Sequence, residues 1–238
     1  MATLHLLYAR DYAINDNISV MIPKVGDILD NEDEYYNLVA LLTAAPIDLM
    51  VQLDDIGVDF STINDYELFL MLFDTLKDSD TSMIFGDLDL KPFEKMINEQ
   101  NGTIVLRDNN TGVIIDRAIH NQIAVTLRAI HHLERDKRKP GNEEARKYMI
   151  RRAREKMKRN KKRTTRSQLE DLIVAMVNTE QYKYDFDGTR ELSIYQFNES
   201  VRQVVKKVEY EHKMTGVYAG TISSKDLSQD DFNWLTHK

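Results

Sequence analysis

The 238 residues contain no cysteine. That absence removes disulfide frameworks, thiolate zinc sites, iron–sulfur clusters and cysteine nucleophiles together. Proline occurs four times, glycine nine times and tryptophan once, and neither a low-complexity tract nor an internal repeat interrupts the chain. Long apolar runs are missing as well. Stretches such as Leu68 to Phe73 are far too short to span a bilayer, and the start of the chain lacks the charged and apolar regions of a secretory signal. The expectation is a soluble, folded intracellular protein with no membrane partner. A hydrophobic content of 42% beside 30% charged residues supports a buried core rather than disorder.

The motifs of the common catalytic classes are also missing. There is no Walker loop, dinucleotide fingerprint, nucleophile elbow or kinase signature. Asp185-Phe-Asp187-Gly188 with Glu191 has the texture of a calcium loop. With Gly188 at its sixth position, Lys183 would take the first ligand place and Ile194 the twelfth, and neither can bind calcium. A tight turn is the better reading. His120, His131 and His132 fall on one helix without the three- or four-residue spacing that a helical zinc pair needs. The sequence therefore points to no enzyme, no metal and no cofactor.

What the chain does have is separated charge. Residues 1–110 carry 21 acidic and 6 basic side chains, whereas residues 134–166 carry 5 acidic and 16 basic ones. The overall net of −7 hides this polarity. Such a chain either folds its basic segment onto its acidic one or offers the two signs to different partners.

Hydrophobic periodicity predicts an α+β fold that is mainly helical, with N-terminal hairpins packed on helices and a C-terminal helical module. Strands are expected over 3–9 and 18–22 around an Asn/Asp-rich turn, and further strands at Met83–Phe85 and Leu88–Leu90. A hairpin should flank Asp108-Asn-Asn-Thr-Gly112, where Asn and Gly accept positive φ. Helices are expected from Glu32 to Thr43, from Pro46 to Gly57, and after Asn64, whose pairing with Glu67 gives a cap-like start. The last of these is apolar on nearly every side. Ile119, Ile123, Leu127, Ile130 and Leu133 mark another helix. The three expected segments are an acidic α+β domain over 1–133, a basic linker and helix over 134–166, and a helical module over 167–238.

The basic helix, Glu143 to about Asn160, has a narrow stripe of Ala145, Met149, Ala153 and Met157. Arg146, Lys147, Arg151, Arg152, Arg154 and Lys158 cover the rest and are candidate partner-binding residues. A segment this basic can contact phosphates. It has one aromatic, Tyr148, and so lacks a base-stacking platform; a protein partner, or the chain's own acidic face, is favoured over nucleic acid. Ser193 and Gln196 begin the last long helix with a capping box. Its Ile194, Phe197, Val201, Val204 and Val208 recur by three and four, and Gly216 is the expected stop. Tyr218 and Trp234 in the tail are expected to dock on something and join the candidate partner-binding set.

Pro23-Lys-Val-Gly-Asp-Ile-Leu29, Tyr35-Tyr-Asn-Leu-Val-Ala-Leu-Leu42 and Asp65-Tyr-Glu-Leu-Phe-Leu-Met-Leu-Phe73 together resemble a family of small tailed-phage proteins. These are encoded among the tail genes of phages that infect Gram-positive bacteria. Leu192-Ser-Ile-Tyr-Gln-Phe-Asn-Glu-Ser-Val-Arg202 is similar to helical segments of baseplate and tail-assembly proteins. The resemblance implies a non-catalytic role, either as a tail assembly chaperone or as a minor virion component, with a tape-measure or tube protein as partner. It would place the chain in the host cytoplasm or in the virion. A nucleic-acid-binding accessory protein using residues 135–166 is the alternative, and a phage inhibitor of a host protein is a third.

Overall fold

A computed structural model describes residues 5–98, 102–160 and 167–235. Over these residues the fold is α+β and mainly helical, 55% helix with two small antiparallel sheets. The first sheet is the hairpin β1 (Asp11–Asn15) and β2 (Ile18–Met21). Asn15 Oδ1 accepts the backbone N–H groups of Asn17 and Ile18, both at 2.9 Å, and closes the turn. The strand expected over 3–9 is therefore misplaced (residues 3 and 4 lie outside the described set). A turn at Asp16 and Asn17 can pair Ile18–Met21 only with the residues just before it, and Leu6 enters the core from irregular chain.

Five helices follow: α1 (Val25–Asp30), α2 (Glu32–Thr43), α3 (Met50–Asp55), α4 (Asp65–Lys77) and α5 (Ser82–Phe85). Tyr35, Leu38, Val39 and Leu42 form the buried stripe of α2, as their spacing predicts. Asn64 caps α4 through the N–H groups of Tyr66 and Glu67, and Glu67 answers at 2.8 Å to the Asn64 N–H. The all-round apolarity of α4 has a structural reason. Phe69, Phe73 and Leu76 enter the main core, while Leu68 faces a second, smaller cluster on the other side. The strand expected at Met83–Phe85 is instead the single turn α5. Ile84 and Phe85 are adjacent and both buried, which a half-buried strand cannot arrange. Leu88–Leu90 is not a strand either.

The second sheet has the order β3-β4-β5, from β3 (Phe93–Ile97), β4 (Ile104–Asp108) and β5 (Ile114–Ile115). The β4–β5 hairpin is the one the Asp108–Gly112 turn predicts: Asp108 accepts from Asn110 N–H and the Thr111 hydroxyl, and Gly112 takes φ 75°. β3 gave no signal because only Phe93 of its five residues is buried. Then come α6 (Arg117–His131), α7 (Glu143–Asn160), α8 (Gln168–Val177), α9 (Phe186–Glu191) and α10 (Ile194–Tyr218), with 3-10 turns at Ser224–Asp226 and Gln229–Phe232. The tight turn expected at Asp185–Gly188 is the first turn of α9, capped by Asp185 Oδ1 on Gly188 N–H at 2.7 Å. Helix α10 runs through Gly216 instead of stopping there. A Cβ on Gly216 would lie 2.6 Å from Ile222 Cδ1, so its role is close approach by the returning tail, and Gly220 at φ 71° makes the turn.

The main core crosses residue 133. Leu169, Ile173, Met176, Tyr182, Ile194 and Phe197 join Ile18, Val25, Tyr35, Phe73, Leu106 and Leu127 in one continuous cluster. Backbone bonds reinforce the join: Val25 N–H donates to Leu192 O and Ile194 N–H to Pro23 O, each at 2.9 Å. Asn198 Nδ2 donates to Ile130 O at 3.1 Å and Gln196 Nε2 to Leu7 O at 2.8 Å. Among the described residues, no helix is long and apolar enough to cross a membrane.

Candidate functional site

Helix α7 begins where Asn142 Oδ1 accepts Ala145 N–H at 2.8 Å. Glu143 and Glu144 lie in its first turn and Lys158 and Arg159 in its last, the arrangement the helix dipole favours. Its anchor is Ile150, 5% exposed, which packs with Ala45, Ile47, Leu53, Phe60 and Leu68 in the smaller cluster; Met149 sits at the edge. The expected stripe is thus off by a fraction of a turn. Ala145 and Ala153 are half-buried, and Met157 is exposed.

Charge explains the rotation. Arg146, Ile150 and Arg154 are four residues apart and share one face, and acidic residues of the α3 region meet both arginines. Arg154 Nη2 lies 2.7 Å from Asp54 Oδ2 and 2.6 Å from Asp55 Oδ1. Arg146 Nε lies 3.4 Å from Asp59 Oδ2. The Asp55 and Asp54 carboxylates hold the Arg154 guanidinium above its usual range. Asp59 is held below its usual range, first by Ser61, whose N–H and hydroxyl both donate to it, and less by Arg146. Surface pairs of this kind contribute little, so burial of Ile150 is the larger stabilising effect, roughly 1.5–3 kcal/mol.

The remaining candidates divide into groups. Lys147 pairs within the helix with Glu143 at 2.7 Å. Arg151 and Arg152 turn outward and bracket the Tyr148 ring, 5.5 and 5.7 Å from its centroid, and Arg152 Nη1 donates to the Tyr148 hydroxyl at 3.1 Å. Lys156, Lys158 and Arg159 are exposed, and among the described residues no carboxylate pairs with them or with Arg151 or Arg152. The basic residues at 161–166 lie outside the described residues.

Tyr218 and Trp234 belong to a different part of the molecule. Tyr218, at the end of α10, is 87% exposed. Trp234 docks on α10 itself: its carbonyl accepts from Gln203 Nε2 at 3.1 Å, and Lys207 Nζ lies 5.8 Å from its ring. Lys213 pairs with Asp231 at 2.6 Å and, with Ser228, lowers that carboxyl to about 2. Lys207 and Tyr218 are separated by roughly 16 Å of helix, so the two aromatic residues do not form one patch.

Sequence reading missed a groove of about 930 Å³ between the starts of α4 and α6. Asp65 there receives two bonds from Arg135, at 2.7 and 2.8 Å, with Arg128 at 3.9 Å. Burial pulls the Asp65 carboxyl up, but these cations outweigh it and leave it below the ordinary range. His120 stacks on Phe69 at 4.2 Å, and burial lowers it to about 4, so it is neutral. A paired carboxylate and a stacked neutral imidazole make a structural clasp that fastens residue 135 to α4. No sequence motif marks it, because its two halves, Asp65 with Phe69 and His120 with Arg128 and Arg135, are more than fifty residues apart. Among the described residues, no group of three or more His, Asp or Glu side chains is placed to hold a metal ion.

Residues 158–238 match the family model described as the YomV second domain, a phage-derived family. The matched region covers the end of α7, helices α8 to α10 and the tail, so the final third of the chain is similar to a phage protein domain. No curated protein and no solved structure matches the chain.

Proposed function

We propose that this chain is a non-catalytic phage assembly or structural protein that acts through protein–protein contacts in tail assembly, either as a chaperone or as a minor virion component. The phage affiliation rests on the similarity of its final third to the YomV second domain. The observation that carries the protein-contact reading is the division of α7. Arg146 and Arg154 are neutralised by aspartates of the same chain, and Ile150 seats the helix in an apolar cluster. That inner face is built for protein, and its partner chemistry is acidic with an aliphatic socket.

The test has two arms. Tagged protein purified from infected cells should bring down a tape-measure or tube protein, and mass spectrometry of purified virions separates a resident subunit from a departing chaperone. Nucleic-acid binding would displace this reading on one result. That result is submicromolar binding to duplex DNA or RNA at physiological salt, lost in Arg151→Glu/Arg152→Glu/Arg154→Glu while folding is kept.

A further inference from the structure

We infer that α7 is a displaceable helix, and that the surface beneath it is a docking site for a basic amphipathic helix of a partner protein. This deepens the protein-contact reading and rests on it. The surface has an aliphatic and aromatic floor, Ile47, Leu53, Phe60 and Leu68, and a rim made by Asp54, Asp55 and Asp59. What it accepts is defined by what it now holds: an aliphatic side chain with an arginine four residues before and four after. Amphipathic helices in apolar grooves are recognised in this way, through anchors at helical spacing.

Three features make the present occupant easy to release. Of the eighteen residues of α7, Ile150 alone is fully buried. The ion pairs that flank it are at the surface, with Arg154 39% and Asp55 56% exposed, where salt screens them. On the N-terminal side, residues 136–142, beyond the Asp65–Arg135 clasp, are mostly exposed and form neither helix nor strand, and seven such residues can span up to about 23 Å. A tethered helix competes at an effective concentration of about millimolar. The site is therefore masked in the free protein and opens to a partner helix that binds it better.

The probe is a fluorescent peptide with the sequence of residues 143–160, titrated into the full chain at low salt. Wild type should bind it weakly, because α7 already fills the site. Ile150→Ala in the protein should tighten peptide binding about tenfold or more, since loss of the anchor loosens the resident helix and leaves the socket intact. Asp54→Lys/Asp55→Lys in the same background should abolish binding, as should a peptide carrying Ile150→Asp. No saturable binding to the Ile150→Ala protein, or binding indifferent to the aspartates, overturns the inference. Amide exchange in the wild-type protein gives a second readout that needs no variant. Amides of α7 should open faster as salt rises while those of α4 do not, and exchange of α7 only through global unfolding also overturns it. Neither measurement depends on a phage partner, so a failed pull-down and a failed peptide titration are separate results.

Discussion

Replacing Phe197 by alanine tests whether the C-terminal helices are part of the main core. Phe197 lies on the first turn of α10, is fully buried, and its ring meets Tyr182 edge-on at 6.4 Å. It belongs to the same cluster as Phe69 and Phe73 of α4, more than a hundred residues earlier. Truncating a buried Phe to Ala costs about 3–5 kcal/mol, the sum of lost transfer energy and residual cavity. In a domain of 150–250 residues each kcal/mol lowers Tm by roughly 2–4 °C, so the shift expected is about 6–20 °C. The assay is differential scanning calorimetry of wild type, Phe197→Ala and Phe69→Ala. One continuous core requires both variants to move the same transition by similar amounts. Two transitions, with Phe197→Ala moving one and Phe69→Ala the other, would refute the shared core and favour an independent unit over 1–133.

Other outcomes follow from individual groups. Burial lowers His120 and His131 from 6.5 to about 4, and His131 Nε2 meets the Tyr35 hydroxyl at 2.9 Å. Below pH 6.5 the unfolded chain takes up protons that the native state refuses, so stability is complete above that pH and falls toward pH 4, by up to about 3 kcal/mol per histidine. Tm measured across that range should drop, and His131→Gln should blunt the drop; a flat profile in wild type contradicts the burial argument. Ser193→Ala removes the capping box of α10, which should cost about 1 kcal/mol in urea unfolding. Calcium should leave Tm unchanged, because Asp185 is occupied as a helix cap and Ile194 is buried in the core. A saturable rise would show a ligand specific to the folded state.

Local signals in the sequence were legible where the chemistry is local. Asn64 with Glu67 and Ser193 with Gln196 mark helix starts because their bonds span three residues. Asp108 to Gly112 marks a hairpin for the same reason. Short apolar runs were ambiguous: Met83–Phe85 and the strand over 3–9 were decided by tertiary burial, which periodicity over three to seven residues does not encode. β3 is an edge strand held by pairing with β4 and not by an alternating pattern. The candidate site was legible in sign and not in geometry. Charge sums showed that the acidic and basic segments complement each other. They did not reveal that Ile150, flanked by Arg146 and Arg154, sets the rotation of the helix. The spacing of those three residues could have suggested it, since the apolar stripe of alanines and methionines offers little area to bury.

That rotation determines how much phosphate binding the helix can offer. Eight cations lie on α7, and Arg146, Lys147 and Arg154 are engaged by carboxylates of the chain. Five remain outward: Arg151, Arg152, Lys156, Lys158 and Arg159. On duplex DNA each neutralised phosphate contributes about −0.9 to the slope of log K against log salt, so these five supply at most roughly −4.5. Asp54→Asn/Asp55→Asn/Asp59→Asn should release Arg146 and Arg154 and steepen the slope by about 1.8. The comparison is made on one chain at several salt concentrations, and contributions from residues outside α7 cancel in the difference. A slope unchanged by the three substitutions would mean that the aspartates do not withhold these arginines. A slope that steepens as computed would mean that the acidic face limits nonspecific phosphate binding by its own basic helix.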